Sequence, residues 1–478
     1  MTGKRAEPRV ATIARRFAIT VLVLSLCMPV ACARGRRGAK KVHLARLPAQ
    51  YQTITISDDA RSYAYVEAVR EGEGFVVHDG KHDGTFPAMV GLTFAPETRK
   101  LFYWAGSDMD GYLIADGTKI GGDLVHEGKL VFSPDGRRWA TTCTARPQTG
   151  GPRKRAVVFA DGKELGRYAG ASVPTFSPDG RHLAYVVVDE GGNASLIVDG
   201  EPRAKYAPPD DPCAARLEGT PSEPSLWPQF QVSYLADGSL VTMTQDPDGW
   251  AIYRGATRLA SYGPSVIQKH PEVRESCRGT PAVAAWSLTT AEKAPVAAWW
   301  DRLPGSEERW RVVANGKPVD AFVCARPWSR QPPELSSDGE HIAYPCIADA
   351  DHILVVVDGL RYGPYVDVWA YVWADDGAEL VYAAADEPAP RPWRYYVAGR
   401  PRTGFFSAVW RPRIEAGSGR FAWEAELERG GRKVLGVDDR ELTSFDDVLW
   451  GPGFLRRGWA TWIIRRGRRL VRLDVPTG

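Results

Sequence analysis

The chain has 478 residues, 44% hydrophobic and 25% charged, with 48 Gly and 36 Pro, which is ample apolar material for a folded core. Beyond the N-terminus no stretch is long and apolar enough to span a bilayer as a helix. A net charge of +3 offers no basic excess of the kind that duplex nucleic acid demands, so nucleic acid is excluded as an expected partner.

In chain order, residues 1–33 come first and read as a secretory signal. Lys4, Arg5, Arg9, Arg15 and Arg16 form a basic n-region, and Phe17 to Met28 an apolar h-region. The residues after Arg15-Arg16 fit a twin-arginine signal poorly, so the general secretory route is expected. Pro29-Val30-Ala31-Cys32 resembles a lipoprotein box, with Pro where Leu is usual, and predicts lipidation at Cys32. Ala31-Cys32-Ala33 equally fits the small-x-small rule of an ordinary signal peptidase, whose product would be a soluble periplasmic or secreted protein. Either way the expected address is exported, periplasmic or anchored at the outer membrane. Residues 1–33 hold five basic residues against Glu7, so without them the net +3 becomes −1. Residues 34–41 form a basic tether of Arg34, Arg36, Arg37, Lys40 and Lys41, which leaves 42–478 at −6.

From there on the chain is repetitive. Phe132-Ser133-Pro134-Asp135-Gly136-Arg137 is copied at Phe176-Ser177-Pro178-Asp179-Gly180-Arg181, and each copy is followed by an apolar run ending in Asp161-Gly162 or Asp199-Gly200. Pro presets φ, Asp bonds local backbone and Gly accepts positive φ, so Ser-Pro-Asp-Gly is a tight turn. Asp-Gly after a β-branched run suits a type I′ hairpin. One unit therefore reads as strands a, b, c and d, with tight a–b and c–d turns. The second signal recurs at Asp79-Gly80, Asp116-Gly117, Arg254-Gly255, Asn315-Gly316, Asp358-Gly359, Ala398-Gly399 and Asp438-Asp439, which makes nine units. A tenth is assembled from both ends: Leu449–Leu455, Trp459–Ile464 and Arg469–Asp474 as a, b and c, and Val42–Leu47 as d. The expected fold is an all-β β-propeller of about ten four-stranded units spanning 42–478, a single large ring closed by both termini. Two five-bladed rings divided near Cys277 use the same strands.

The two Phe-Ser-Pro-Asp-Gly-Arg boxes, and Ala184-Tyr185 after the second, resemble TolB-type WD40-like β-propeller repeats. The resemblance extends in weaker form from about Ile54 to Asp474. It implies a bacterial envelope propeller, and members of this group are mostly binding platforms, sometimes fused to a hydrolase.

Five cysteines lie beyond the signal: Cys143, Cys213, Cys277, Cys324 and Cys346. In an up-and-down unit the b–c and d–a connections share one face, and all five are expected on it. So are the long insertions Ala207–Gln229, Tyr262–Thr280 and Val323–Glu334, which makes this the expected binding surface. Cys324 with Cys346, and Cys213 with Cys277, are the expected disulfides. A strand d at Val42–Leu47 is entered from the tight-turn face, so a lipid at Cys32 would turn that face toward the membrane.

Chemistry-bearing motifs are sparse. Gly-x-Ser-x-Gly and His-Glu-x-x-His do not occur. His78-Asp79-Gly80-Lys81-His82-Asp83 coincides with the first c–d turn, where Asp-Gly already has a structural reason to stand. Asp108/Asp110, Asp246/Asp248 and Asp349/Asp351 put carboxylate pairs on b–c connections, a weak calcium signal without EF-hand spacing. No metal site, catalytic residue or cofactor is expected. Trp139, Trp299, Trp369, Trp373, Trp423, Trp459 and Trp462 are expected to pack unit against unit. The expected function is a non-catalytic envelope scaffold for protein–protein interaction, probing a partner through its loop-rich face. The alternative is an envelope enzyme acting on polysaccharide or peptide through the propeller channel, which three or more clustered carboxylates or His at the channel mouth would favour.

Overall fold

In a computed structural model, Ala39–Gly478 forms one compact unit. The structure describes residues within 39–477 except for short interior stretches and two longer ones, 207–230 and 263–282. Every regular element among the described residues is a β-strand, arranged in nine hydrogen-bonded sheets. None of these sheets closes on itself. The strands run in order as antiparallel a–b–c–d ladders, for example Gln231–Tyr234, Leu240–Asp246, Gly249–Arg254 and Thr257–Tyr262. The eight-stranded sheet holds the second and third units, joined only where Thr144 and Ala145 pair with His126 and Leu124.

One sheet, the closing sheet, draws on both ends of the described chain. Lys40–Arg46 pairs with Arg469–Pro476, which pairs with Trp459–Arg466 and then Asp447–Arg456. The outer strand begins at Lys40 rather than Val42, so part of the expected tether is strand.

The turns obey the chemistry of their residues. At six c–d hairpins among the described residues both central residues have positive φ, as in Asp199 (53°) and Gly200 (86°) or Asp358 (49°) and Gly359 (80°), the type I′ geometry. The Asp does a second job that φ alone does not explain. Its Oδ1 accepts the first amide of strand b: Tyr63 to Asp79, Leu183 to Asp199 and Ile342 to Asp358, each at 2.9 Å. Its Oδ2 meets the residue before that strand, His182 at 2.6 Å and His341 at 2.7 Å. In these units the c–d turn is thereby tied to its own a–b turn.

Strands b and c are buried on both faces, so they read as continuous apolar runs rather than alternating ones. In Leu183–Val188, Leu183, Tyr185 and Val187 join the core shared with the third unit, while Ala184, Val186 and Val188 join that shared with the fifth. This explains the recurring small–aromatic pair: the small residue faces the following unit and the tyrosine the preceding one. The Tyr103 hydroxyl donates to Asp83 (3.0 Å) and that of Tyr344 to Asp320 (3.2 Å), both on the preceding unit. Such cores link the sixth unit to the seventh and onward through the ninth to the closing sheet. From the closing sheet they continue through the first unit to the fifth.

Candidate functional site

The tight-turn face is stitched together from the side chains that make its turns. In Ser133-Pro134-Asp135-Gly136, the Ser133 hydroxyl donates to Asp135 (2.6 Å) and accepts the Arg138 amide (3.0 Å). Ser177 and Ser336 repeat the pattern. The serine hydroxyl, then the backbone N–H two residues on, hold Asp135, Asp179 and Asp338 below the ordinary carboxylate range.

Bonds then pass from one a–b turn to the next. Arg138 donates to Gly180 O (3.3 Å) and Arg181 O (2.6 Å), Ser337 to Asp375 O (2.7 Å), and the Gly458 amide to Glu415 (2.6 Å). Arg99 bonds Asp59 at 2.7–2.8 Å, and Arg472 reaches Asp59 O at 3.5 Å. The turns sit so close that a Cβ on Gly136 would lie 1.7 Å from Pro96 O. These polar residues hold neighbours together, so they cannot also serve as free ligands.

Where the closing sheet meets the first two units, the same face holds a cleft of about 790 Å³. Its walls carry the carboxylates Asp58, Asp59 and Glu97 and the guanidiniums Arg61, Arg99, Arg456 and Arg472. Burial raises the Asp59 carboxyl. Bonds from the Ser57 hydroxyl, the Arg61 amide and Arg99 outweigh it and hold the group below its ordinary range. Asp59 is therefore a fixed acceptor and is unsuited to general-acid work near neutral pH. Among the described residues no group of three His, Cys, Asp or Glu is placed to hold a metal ion.

On the opposite face Cys324 and Cys346 form a disulfide. Cys324 lies in the connection into the seventh unit and exchanges backbone bonds with Trp310 (2.7 and 2.9 Å), while Cys346 sits near the far end of Ile342–Ile347. The bridge fastens this connection onto strand b. Cys32, Cys213 and Cys277 lie outside the described residues. Cys143 departs from expectation. It stands inside strand Trp139–Ala145 with its side chain enclosed in the core between the second and third units rather than exposed on the loop face. Burial pushes its thiol up to about 12.

The Asp pairs do not assemble into cation sites on what is described. Asp110 pairs with Arg146 (3.1 Å) and Asp349 with His352 (2.8 Å). Asp108, Asp248 and Asp351 lie outside the described residues, as does the side chain of Asp246. The six residues from His78 to Asp83 also find separate partners: His78 lies 3.7 Å from Asp79, but Asp79 takes the Tyr63 amide, Asp83 the Tyr103 hydroxyl, and His78 and His82 pack on Phe94 and Phe75.

Two features escaped the sequence reading. Trp139, Trp373, Trp423 and Trp462 are buried between units and Trp459 is buried beside Lys40 and Arg456, but Trp369, on an inner strand, is 57% exposed, and the side chain of Trp299 lies outside the described residues. Glu424 is only 7% exposed in Phe421–Glu426, and its Oε1 has no hydrogen-bond partner. Burial first, then nearby Asp447, push its carboxyl up to about 8, against Lys433. The surrounding run Phe-Ala-Trp-Glu-Ala was its one signal, since a charged residue amid apolar ones in strand b has no solvent to face.

No family model and no curated protein matches the chain. Among solved structures it is similar to a eukaryotic initiation factor, at 10% identity over 79% of this chain and 94% of that one, TM-score 0.41. It is also similar to the β-propeller domain of the Trilobed protease from Pyrococcus furiosus, at 13% identity over 67% and 99%, TM-score 0.31. TolB from Acinetobacter baumannii matches at 13% identity over 62% and 77%, TM-score 0.26.

Proposed function

We propose that the chain is an exported envelope propeller of ten units in one ring, acting as a non-catalytic scaffold that presents its loop face to a protein partner. The single ring is supported by the closing sheet, which shares one apolar core with the ninth unit and another with the first. Two separate five-unit rings would divide those contacts. Lipidation at Cys32 and residence at the periplasmic side of a membrane belong to the same reading, as does operation without a cofactor or nucleic acid.

The observation that carries it is the opposition of two faces. The N-terminal strand is entered at Lys40, whose ammonium lies 5.8 Å over the Trp459 ring beside the closing sheet's a–b turn. The disulfide-fastened connection at Cys324 stands at the other ends of the strands. An anchor at the N-terminus holds the turn face inward and turns the braced loops outward.

A photo-crosslinking residue placed at exposed Arg326, on the loop face, and at Arg137, on the turn face, tests this in intact cells. Protein adducts from position 326 and none from 137 are expected. Adducts of the same proteins from both positions, or from 137 alone, would discard the scaffold orientation. The enzyme alternative calls for three or more clustered carboxylates or His at the channel mouth; the turn-face cleft does gather Asp58, Asp59 and Glu97, but the immobilised Asp59 weighs against acid–base use of that group.

A further inference from the structure

We infer that the corner where the closing sheet meets the first unit docks onto the phosphate headgroups of an anionic bilayer. Arg456 and Arg457 occupy the closing sheet's a–b turn, Arg61 follows the first unit's, and Lys40 and Lys41 start the outer strand beside them. All five side chains are exposed. The guanidiniums of Arg61, Arg456 and Arg457 form no ion pair with a carboxylate among the described residues, although Arg99 and Arg472 close by are tied into the turn seam.

Arg61 and Arg456 line the cleft of about 790 Å³, large enough for a headgroup, and Leu455 on its wall is 39% exposed. The Lys40 ammonium (5.8 Å) and the Arg456 guanidinium (5.3 Å) both lie over the Trp459 ring, a contact that favours holding the two cations at this corner. Asp58 and Glu97, also on the cleft wall, reduce the local charge without cancelling it once the two lysines are included.

Charge complementarity identifies the occupant. In the sequence, Arg34, Arg36 and Arg37 precede Lys40, so the chain leading into this corner adds to its basic charge. Cations clustered near a membrane surface each add to binding of anionic lipid, and several together give a salt-sensitive attachment without insertion. The a–b turns of the seventh and eighth units are the reverse, with Asp338, Glu340, Asp375, Asp376 and Glu379 and no Lys or Arg. Docking therefore leads with the closing-sheet corner rather than the whole turn face. The inference does not depend on the scaffold reading or on lipidation at Cys32.

The test is co-sedimentation of residues 39–478, the compact unit that contains every described sheet, with phosphatidylcholine vesicles with and without phosphatidylglycerol. Binding to the anionic vesicles alone, weakened by salt, is expected. Arg456→Glu/Arg457→Glu should lower partitioning about 25-fold or more, with an unchanged circular dichroism spectrum. Arg137→Glu/Arg181→Glu, altering 82%-exposed arginines on other a–b turns, should change it little. Equal binding to neutral vesicles, or equal loss in both double variants, would overturn the inference. So would a thermal shift with inorganic phosphate unaccompanied by vesicle binding, which would make the cleft a site for free anions. If Arg456→Glu/Arg457→Glu misfolds, Arg61→Glu provides the same comparison.

Discussion

Asp199 shows how much one residue carries in this architecture. It adopts a left-handed backbone, accepts the Leu183 amide and bonds His182. Burial raises its carboxyl, but the bonds from His182 and Leu183 outweigh that and keep it ionised below the ordinary range. Asp199→Ala should cost about 1–3 kcal/mol, since it orphans a strand amide, and should lower the thermal midpoint measured by circular dichroism. Asn at this position retains the acceptor and tolerates the backbone, so it should cost less. The eighth unit provides the converse. Ala398 stands at the corresponding position with φ 46°, and the residue before its strand b is Glu379, where His182 and His341 stand elsewhere. An aspartate there would face a carboxylate. Ala398→Asn adds the missing acceptor without that repulsion and should raise the midpoint, by about 0.5–1.5 kcal/mol in stability. Glu424 sets a pH dependence. Its folded pKa of about 8 lies above the ordinary 4.5, so the folded state binds the proton more tightly. The associated stability is complete below about 4.5 and is lost as pH rises through 8, at about 1.4 kcal/mol per unit of pH while only the folded form holds the proton. Glu424→Gln should flatten this part of a denaturation-midpoint-versus-pH profile. An unchanged slope would assign it to other groups.

At the scale of the strand, position within the unit governs composition. Inner-to-middle strands such as Leu183–Val188 and Leu380–Ala385 are buried throughout, because each packs on two neighbours. Outer strands are charged or carry proline, as in Lys163–Tyr168 (Lys-Glu-Leu-Gly-Arg-Tyr) and Glu201–Tyr206 (Glu-Pro-Arg-Ala-Lys-Tyr). Their unpaired backbone edges face solvent, and charge and proline discourage pairing with another chain. The disulfide acts at this scale too. Cys324→Ser/Cys346→Ser removes the brace between the entry connection and strand Ile342–Ile347, and should cost about 2–4 kcal/mol. Limited proteolysis should then cut near residue 324 sooner than in the parent chain, while cleavage elsewhere keeps its rate.

Over the whole molecule, the pairing of Lys40–Arg46 with Arg469–Pro476 joins the residues farthest apart in the sequence. Lys40–Arg46 bonds along most of Arg469–Pro476, and Leu44, Ala45 and Leu47 pack with Ile463, Leu470 and Tyr65 of the closing sheet and first unit. Removing residues up to Leu47 leaves the edge of Arg469–Pro476 unpaired and opens an apolar core. The truncated chain is expected to associate, with an increased mass by light scattering, where the chain from Ala39 stays unassociated under the same conditions. An unassociated truncated chain with an unchanged thermal midpoint would show that closure contributes little.

The repeat and its turns were legible in the sequence because they depend on local conformation. Asp-Gly and Ser-x-Asp-Gly specify φ over two or three residues, and β-branched runs specify extended strands whatever lies beside them. Even the pairing of the two ends could be read, since a strand lacking its fourth partner points to where that partner must be. What depended on neighbours could not be read. The burial of Cys143, the exposure of Trp369, the burial of Glu424 and the gathering of Arg61, Arg99, Arg456 and Arg472 around one cleft arise from residues tens to hundreds of positions apart. Local chemistry determined the unit; only the stacking of units decided which side chains would be enclosed, because burial belongs to the space between two sheets and is encoded in neither alone.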